Sequence, residues 1–213
     1  MEAETQIPMS REEKKVYELE SIQDKAWENG GLIRTKEILD MGIDYRRILQ
    51  FLEEGSLTRV KNGYYTTSLK DYSEEELICA MFPDGVLTME TALYYYGYLT
   101  QRPYGWSIAI SKNTSKSRFH LEYPIVTPYY TEPQVLTLGT QVTQIGEYEM
   151  DIYTKDRLIC DVLKYEEKMD RMLFREGVFS YIEDPEKDVA KLMEFAAARK
   201  VRKKVQAMIG VWL

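Results

Sequence analysis

Residues 30–65 read GGLIRTKEILDMGIDYRRILQFLEEGSLTRVKNGYY, and the organisation of the first part of the chain follows from this stretch. Thr35 predicts the N-cap of a short helix with Ile38 and Leu39 on its buried face, and Gly42 lies just past its end. Asp44 then caps a further helix, YRRILQFLEE, in which Ile48, Leu49 and Leu52 fall at inward spacing and Gly55 is the stop. Tyr45, Arg46, Arg47 and Gln50 share the opposite face. Two short strand-like runs, LTRV and YYTT, flank Lys61-Asn62-Gly63, and Asn-Gly suits the positive φ angles of a tight hairpin turn. Upstream, from Ser10 to Asn29, Val16, Leu19, Ile22, Ala26 and Trp27 recur at helical spacing until Gly30-Gly31.

Helix, short helix, turn, helix and hairpin within 1–70 is the order of a winged helix-turn-helix. Such a module needs a helix slim enough for a major groove about 12 Å wide, with donors on its exposed face. Arg46, Arg47 and Gln50, with Tyr45 beside them, supply donors for base edges. Arg59, Lys61, Asn62 and Tyr64 on the wing, with Arg34, Thr35 and Lys36 at the start of the short helix, are placed to meet phosphates.

The whole chain of 213 residues carries 28 Lys+Arg against 35 Asp+Glu, a net charge of −7. By segment the balance is −4 for 1–29, +2 for 30–70 and −5 for 71–213, so the only positive segment is the proposed reader. A contact with DNA is therefore expected to be short, oriented and doubled by a homodimer. No apolar run reaches the ~20 residues of a membrane span, and the opening MEAETQIPMSREEKK lacks an apolar signal core, so a cytoplasmic location is expected.

Beyond the acidic run LKDYSEEEL the pattern changes to mixed helices and strands, giving an α+β chain with a second domain over 71–213. Thr88 predicts the cap of the helix METALYYYGY, and WSIAI a strand. FHLEYPIVTPYY, PQVLTLG, TQVTQIG and YEMDIY read as strand or extended segments. Helices are expected over 156–165, 172–182 and 189–198, and a last one carries Val201, Val205, Met208, Ile209 and Trp212 on one face. The apolar register slips near Arg199-Lys200.

Several chemistries lack their residues. Cys79 and Cys160 have no partners at metal-ligand spacing and read as small core residues. The single histidine, His120, sits in a strand-like run and reads as a surface or a satisfied structural residue. GxSxG, Walker and GxGxxG motifs are absent, so no cofactor, metal or catalytic residue is expected. Glu166-Glu167-Lys168 contains the E-x-K of a metal-dependent nuclease, but it follows a helix instead of lying on the strand that chemistry needs. The Tyr-rich ALYYYGYLTQRPYGW could be core or ligand platform, and RKVRKK a solvated helix end or a phosphate patch.

Taken together, four segments resemble the AbiEi antitoxins of bacterial type IV toxin-antitoxin and phage abortive-infection systems, one of them the tail LMEFAAARKVRKKV, which is similar to the family's closing helix pair. GGLIRTKEILDMGIDYRRILQFLEEGSLTRVKNGYY is similar to the family's winged helix. TMETALYYYGYLTQRP is similar to its S-x-x-S-A-L-x-x-x-G-L…P segment, with Thr88 and Thr91 in the hydroxyl positions and Tyr98 in place of leucine. YTKDRLICDVL resembles its E-R-t-l-l-D helix, with Arg157 and Asp161 matching and Asp156 replacing glutamate. The resemblance implies a non-enzymatic DNA-binding antitoxin and transcriptional autorepressor of its own promoter. It also implies a co-encoded nucleotidyltransferase-like toxin that is countered without a stable complex. Thr88, Thr91, Lys155, Arg157 and Asp161 are the candidates in the antitoxin domain. The alternatives are a ligand-sensing winged-helix regulator, and an enzyme acting on nucleic acid or on the toxin through Arg157, Asp161 and Lys155. Arg157 and Asp161 are also spaced as a simple i, i+4 ion pair.

Overall fold

Ser10 opens the first helix with a reciprocal cap. Its hydroxyl accepts from the Glu13 N–H at 3.2 Å, while the Glu13 carboxylate accepts from the Ser10 N–H at 2.8 Å. From there α1 (Arg11–Glu28) runs to Asn29. The computed structural model describes residues 9–67 and 73–212. The chain divides into two units, Met1–Met81 and Phe82–Leu213, each with its own sheet. The boundary expected at residue 70 lies outside the described residues.

In the first unit, β1 (Ile33–Arg34), α2 (Thr35–Asp40), α3 (Tyr45–Glu53), β2 (Thr58–Lys61), β3 (Tyr64–Thr66) and α4 (Glu74–Met81) follow α1. Strand β3 lies between β1 and β2 and is antiparallel to both. Ile22, Ile33, Ile38, Ile48, Phe51 and Tyr65 build the core. Asp44 caps α3 through the Arg47 N–H, as its sequence position predicts. Thr35, in contrast, is the first residue of α2 and Arg34 occupies the cap position.

Four side chains expected in the core are exposed: Val16, Trp27, Leu39 and Leu49. A three-stranded sheet and four helices, three of them short, offer too little partner surface for a broad apolar face, so α1 and α3 are covered along narrow stripes through Ile22/Ala26 and Ile48/Phe51. In the hairpin, Lys61 faces Tyr64 across Asn62-Gly63. Only Gly63 takes a positive φ, 77°, and the ladder absorbs the mismatch as a register shift between Arg59 and Lys61.

The second unit is built on a mixed five-stranded sheet of order β6-β5-β4-β8-β7. Its strands are β4 (Val86–Leu87), β5 (Trp106–Ser111), β6 (Val126–Thr131), β7 (Thr140–Ile145) and β8 (Tyr148–Tyr153). Pairs β4/β8 and β5/β6 are parallel, and β4/β5 and β7/β8 antiparallel. Helices α5 (Met89–Tyr95), α6 (Pro133–Leu136), α7 (Lys155–Lys164), α8 (Arg171–Glu183), α9 (Val189–Ala198) and α10 (Arg202–Met208) complete it. The chain is thus α+β. Helix α7 is the hub: α5, α8, α9 and α10 all pack on it, and every residue from Asp156 to Leu163 is buried.

Two segments depart from their expected form. PQVLTLG begins with the helical turn α6, because Pro133 at its first position has φ preset for a helix. FHLEYPIV is no strand: Phe119 ends a 3-10 turn (Lys116–Phe119), His120 is exposed just beyond it, and β6 starts only at Val126. A ladder cannot run through Pro124, which has no N–H, whereas Pro128 is tolerated on the sheet edge.

Gly139 marks the tightest approach to α7. It holds φ at 71°, and a Cβ there would stand 2.8 Å from Arg157 Cβ and 2.9 Å from Phe195 Cζ. Gly139→Ala should therefore cost about 2 to 3 kcal/mol, strain plus overlap, by thermal or urea unfolding. Gly55→Ala, also at positive φ (73°) but with nothing within 4 Å, should cost only the strain, about 1 kcal/mol. Equal losses at the two positions would refute the overlap.

Candidate functional site

On α3 of the first unit the four polar candidates divide into two pairs. Tyr45 and Arg46 are exposed. Arg47 and Gln50 are half-buried in a chain of polar contacts to α1: Arg47 Nε meets Glu18 Oε2 at 2.6 Å, and Arg47 Nη1 donates to Gln50 Oε1 at 2.6 Å. Gln50 Nε2 in turn donates to Glu54 Oε1 at 2.9 Å, where Lys15 Nζ also arrives at 2.8 Å. Glu18 is nearly buried, so the Arg47 guanidinium is what compensates its charge. Leu49 joins Tyr45 and Arg46 on the exposed side, adding an apolar contact that periodicity had assigned to the core.

The hairpin gathers its cations around one ring. Lys61 Nζ lies 4.1 Å and Arg34 Cζ 5.5 Å from the centroid of Tyr64. Thr35 is tied to the turn, its N–H donating to the Gly63 carbonyl at 2.9 Å. Asn62 and Lys36 are exposed, while Arg59 is half-buried with its Nε lacking a hydrogen-bond partner among the described residues.

In the second unit the five candidates do not converge on one site; among them only Arg157 and Asp161 pair with each other. Thr88 precedes α5 without capping it, its Oγ1 buried and unpartnered among the described residues. The next residue, Met89, takes a positive φ of 48° as the chain turns into the helix. Thr91 Oγ1 accepts from the Ser107 N–H at 2.8 Å, tying α5 to β5. Lys155 lies 2.8 Å from Asp184 Oδ2 and 2.6 Å from Glu186 Oε2.

Arg157 and Asp161 are buried on α7, where Arg157 Nη1 stands 2.7 Å from Asp161 Oδ2. The other oxygen, Oδ1, is 2.6 Å from Nε of Arg199, a residue 1 % exposed. Arg157 also lies over the Tyr153 ring, Cζ 4.1 Å from the centroid. One carboxylate thus stands between two guanidiniums, Oδ1 accepting from Arg199 Nε while Oδ2 meets Arg157 Nη1 as an ion pair without an aligned hydrogen bond. That geometry ties α7 to the residue that follows α9.

The two residues that depart from the AbiEi pattern are both hydrogen-bonded. Asp156 accepts from Tyr181 Oη at 2.8 Å and from the Asp188 N–H at 2.9 Å. Tyr98 donates to Asp184. Burial would raise the Asp184 carboxyl, but hydrogen bonds from Lys155, Tyr98 and the Glu186 N–H outweigh it and bring it down to about 2. A carboxyl held below its ordinary 3.8 adds stability that is complete above that value and is lost as pH falls toward 2. Tyr98→Phe removes one donor and should move the acid-unfolding midpoint upward, as followed by circular dichroism between pH 5 and 1.5. An unchanged midpoint would show that this hydrogen bond does not hold the carboxyl down.

No protein-family model matches this chain, and no curated protein matches it either. The chemistry is therefore read from the residues alone. Glu166–Lys168 forms a 3-10 turn, without the strand alternation that aims E-x-K at a metal. Glu166 is instead 2.8 Å from Lys204. Among the described residues no three His, Cys, Asp or Glu side chains gather as a metal set. Burial pushes the Cys160 thiol up to about 12, so it carries no thiolate at neutral pH. No helix among the described residues is long and apolar enough to cross a membrane.

Sequence reasoning missed Glu18 and Asp184, and it read Arg199 only within RKVRKK, as a solvated helix end or a phosphate patch, whereas the side chain is buried. The first two carry no signal in a linear pattern. Arg199 did leave a trace in the slipped apolar register at the end of α9.

Proposed function

We propose that the chain is a DNA-binding antitoxin of the AbiEi type. It represses its own promoter and counters a co-encoded nucleotidyltransferase-like toxin without a stable complex between the two. The first unit is read as a winged helix-turn-helix that docks α3 in the major groove. The observation that carries this is the exposed pair Tyr45 and Arg46 at the start of α3, a position from which side chains reach base edges. Element order supports it, as does the cation-flanked Tyr64 of the hairpin, suited to a phosphate backbone. In this reading Arg46 and Tyr45 contact bases, Arg34, Lys36, Lys61 and Asn62 contact phosphates, and Arg47 and Gln50 hold α3 against α1. Arg59 and Thr35 support the wing.

The second unit is read as non-catalytic, with Arg157 and Asp161 as internal scaffolding and Thr91 and Lys155 as ties between elements. A gel-shift titration with the chain's own upstream DNA against a scrambled duplex tests the proposal. Saturable binding that favours the upstream duplex by about a hundredfold is expected. Equal affinity for both duplexes at physiological salt would refute it.

In that assay Lys61→Ala should weaken both duplexes alike and lower the slope of log affinity against log salt by about 1. Loss confined to the upstream duplex would make Lys61 a base reader.

A further inference from the structure

Between α7, the end of α9 and α10 lies a cavity of about 750 Å³ whose charged lining is entirely cationic: Lys164, Arg199, Lys200, Arg202, Lys203 and Lys204. The rest of the lining is aliphatic, Ala196, Ala197 and Val201. Among the described residues carboxylates reach two of the six cations: Asp161 and Glu132 at Arg199, and Glu166 at Lys204. Lys164, Lys200, Arg202 and Lys203 have no carboxylate within ion-pair distance among the described residues. A surplus of this kind concentrated in one concavity draws in anions.

Two further observations point to an occupant. Arg199 is 1 % exposed, yet its Nη2 has no hydrogen-bond partner among the described residues. A buried guanidinium edge without an acceptor is costly, and an anion in the cavity would supply one. Lys200 holds a φ of 60° at the turn between α9 and α10. Its N–H donates to the Ala197 carbonyl at 3.1 Å and that of Val201 to Ala196 at 2.8 Å, the pattern that helix ends ordinarily close with glycine. The chain accepts that strain and presents a cation there.

We propose that this cavity binds a small polyphosphate anion, a run of two or three phosphates carried on a nucleotide or free as inorganic polyphosphate. Volume and charge both fit: pockets for small molecules span about 300 to 1,000 Å³. A mixture of guanidinium and ammonium groups suits several adjacent phosphate oxygens. The concavity is widely open to solvent, and what favours a small anion over a duplex backbone is the buried arginine at its wall. This site is independent of the DNA-binding reading of the first unit.

Isothermal titration of the full chain with ATP and, separately, with inorganic tripolyphosphate tests the site. One-to-one saturable binding of at least one probe is expected. Tighter binding of ATP would identify the nucleotide as the source, and equal binding the bare phosphate chain. Arg202→Ala/Lys203→Ala should weaken binding at least about tenfold. Lys200→Gly should weaken it too while keeping the fold, because glycine accepts the positive φ. Arg46→Ala, in the first unit, should leave it unchanged. The proposal is overturned if neither probe saturates at millimolar concentration or if the cavity variants bind as wild type. Tighter binding of a 20-nucleotide RNA with the same dependence on Arg202 and Lys203 would also overturn it, making the surface a nucleic-acid contact.

Discussion

Asp161→Ala should destabilise the second unit by about 3 to 5 kcal/mol, the largest single-residue effect expected in this chain. The wild-type carboxylate stands between Arg157 and Arg199 at 2.7 and 2.6 Å, and all three residues are almost fully buried. Alanine would leave two guanidiniums in the interior with no shared counter-charge. Glu132, half-exposed and 3.6 Å from Arg199, is too solvated to replace it. Urea unfolding at constant m-value reads the loss. A cost below about 1 kcal/mol would mean that water reaches the triad and screens it.

The triple replacement Arg157→Met/Asp161→Leu/Arg199→Met should be far milder than Asp161→Ala alone, because removing all the charges leaves none uncompensated. The consequence for function is practical. Under the proposed antitoxin reading, failure of an Asp161→Ala chain to protect toxin-expressing cells would report misfolding before it reported a missing catalytic group.

Arg46→Ala should cost about 1 to 3 kcal/mol of affinity for the upstream duplex, roughly 5- to 150-fold, and relax the preference at one base position. Its side chain stands exposed on α3 with no hydrogen bond or ion pair among the described residues, so its removal should leave the melting temperature unchanged. Arg47→Ala should do the reverse. Glu18 would lose the contact at 2.6 Å and keep only Lys14 at 3.8 Å, so the first unit should lose stability by about 1 to 3 kcal/mol. DNA affinity would then fall only as far as α3 loosens. Competition gel shifts over single-base variants, paired with thermal melts, separate the two roles. If Arg47→Ala changes base preference and Arg46→Ala does not, the assignment on α3 is inverted.

Much of the fold was legible because its signals are local. Asp44 before an apolar repeat, Gly55 after it and Asn62-Gly63 between two β-branched runs each act through neighbours a few residues away. The helices α7, α8 and α9 likewise follow from spacing within one element. Where the reading slipped, at Leu39, Leu49, Val16 and Trp27, the residues were apolar and well spaced but the small first unit had no surface left to cover them. In PQVLTLG an extended reading was reasonable for each residue, and the preset φ of Pro133 turned the segment into a helix.

For the candidate site the division is sharper. Residue types and their order were enough to mark α3 and the hairpin as the basic segment of an acidic chain, because charge and periodicity are properties of the string. Whether a given cation is free or spent depends on partners distant along it. Arg47 is committed to Glu18, 29 residues earlier. Asp161 is shared between Arg157 on its own helix and Arg199, 38 residues later. The meeting of Lys164 with the 199–204 run around one cavity has the same origin. Local order names which side chains are able to bear charge; packing determines which charges cancel and which are left facing outward, since Coulomb energy depends on separation in space.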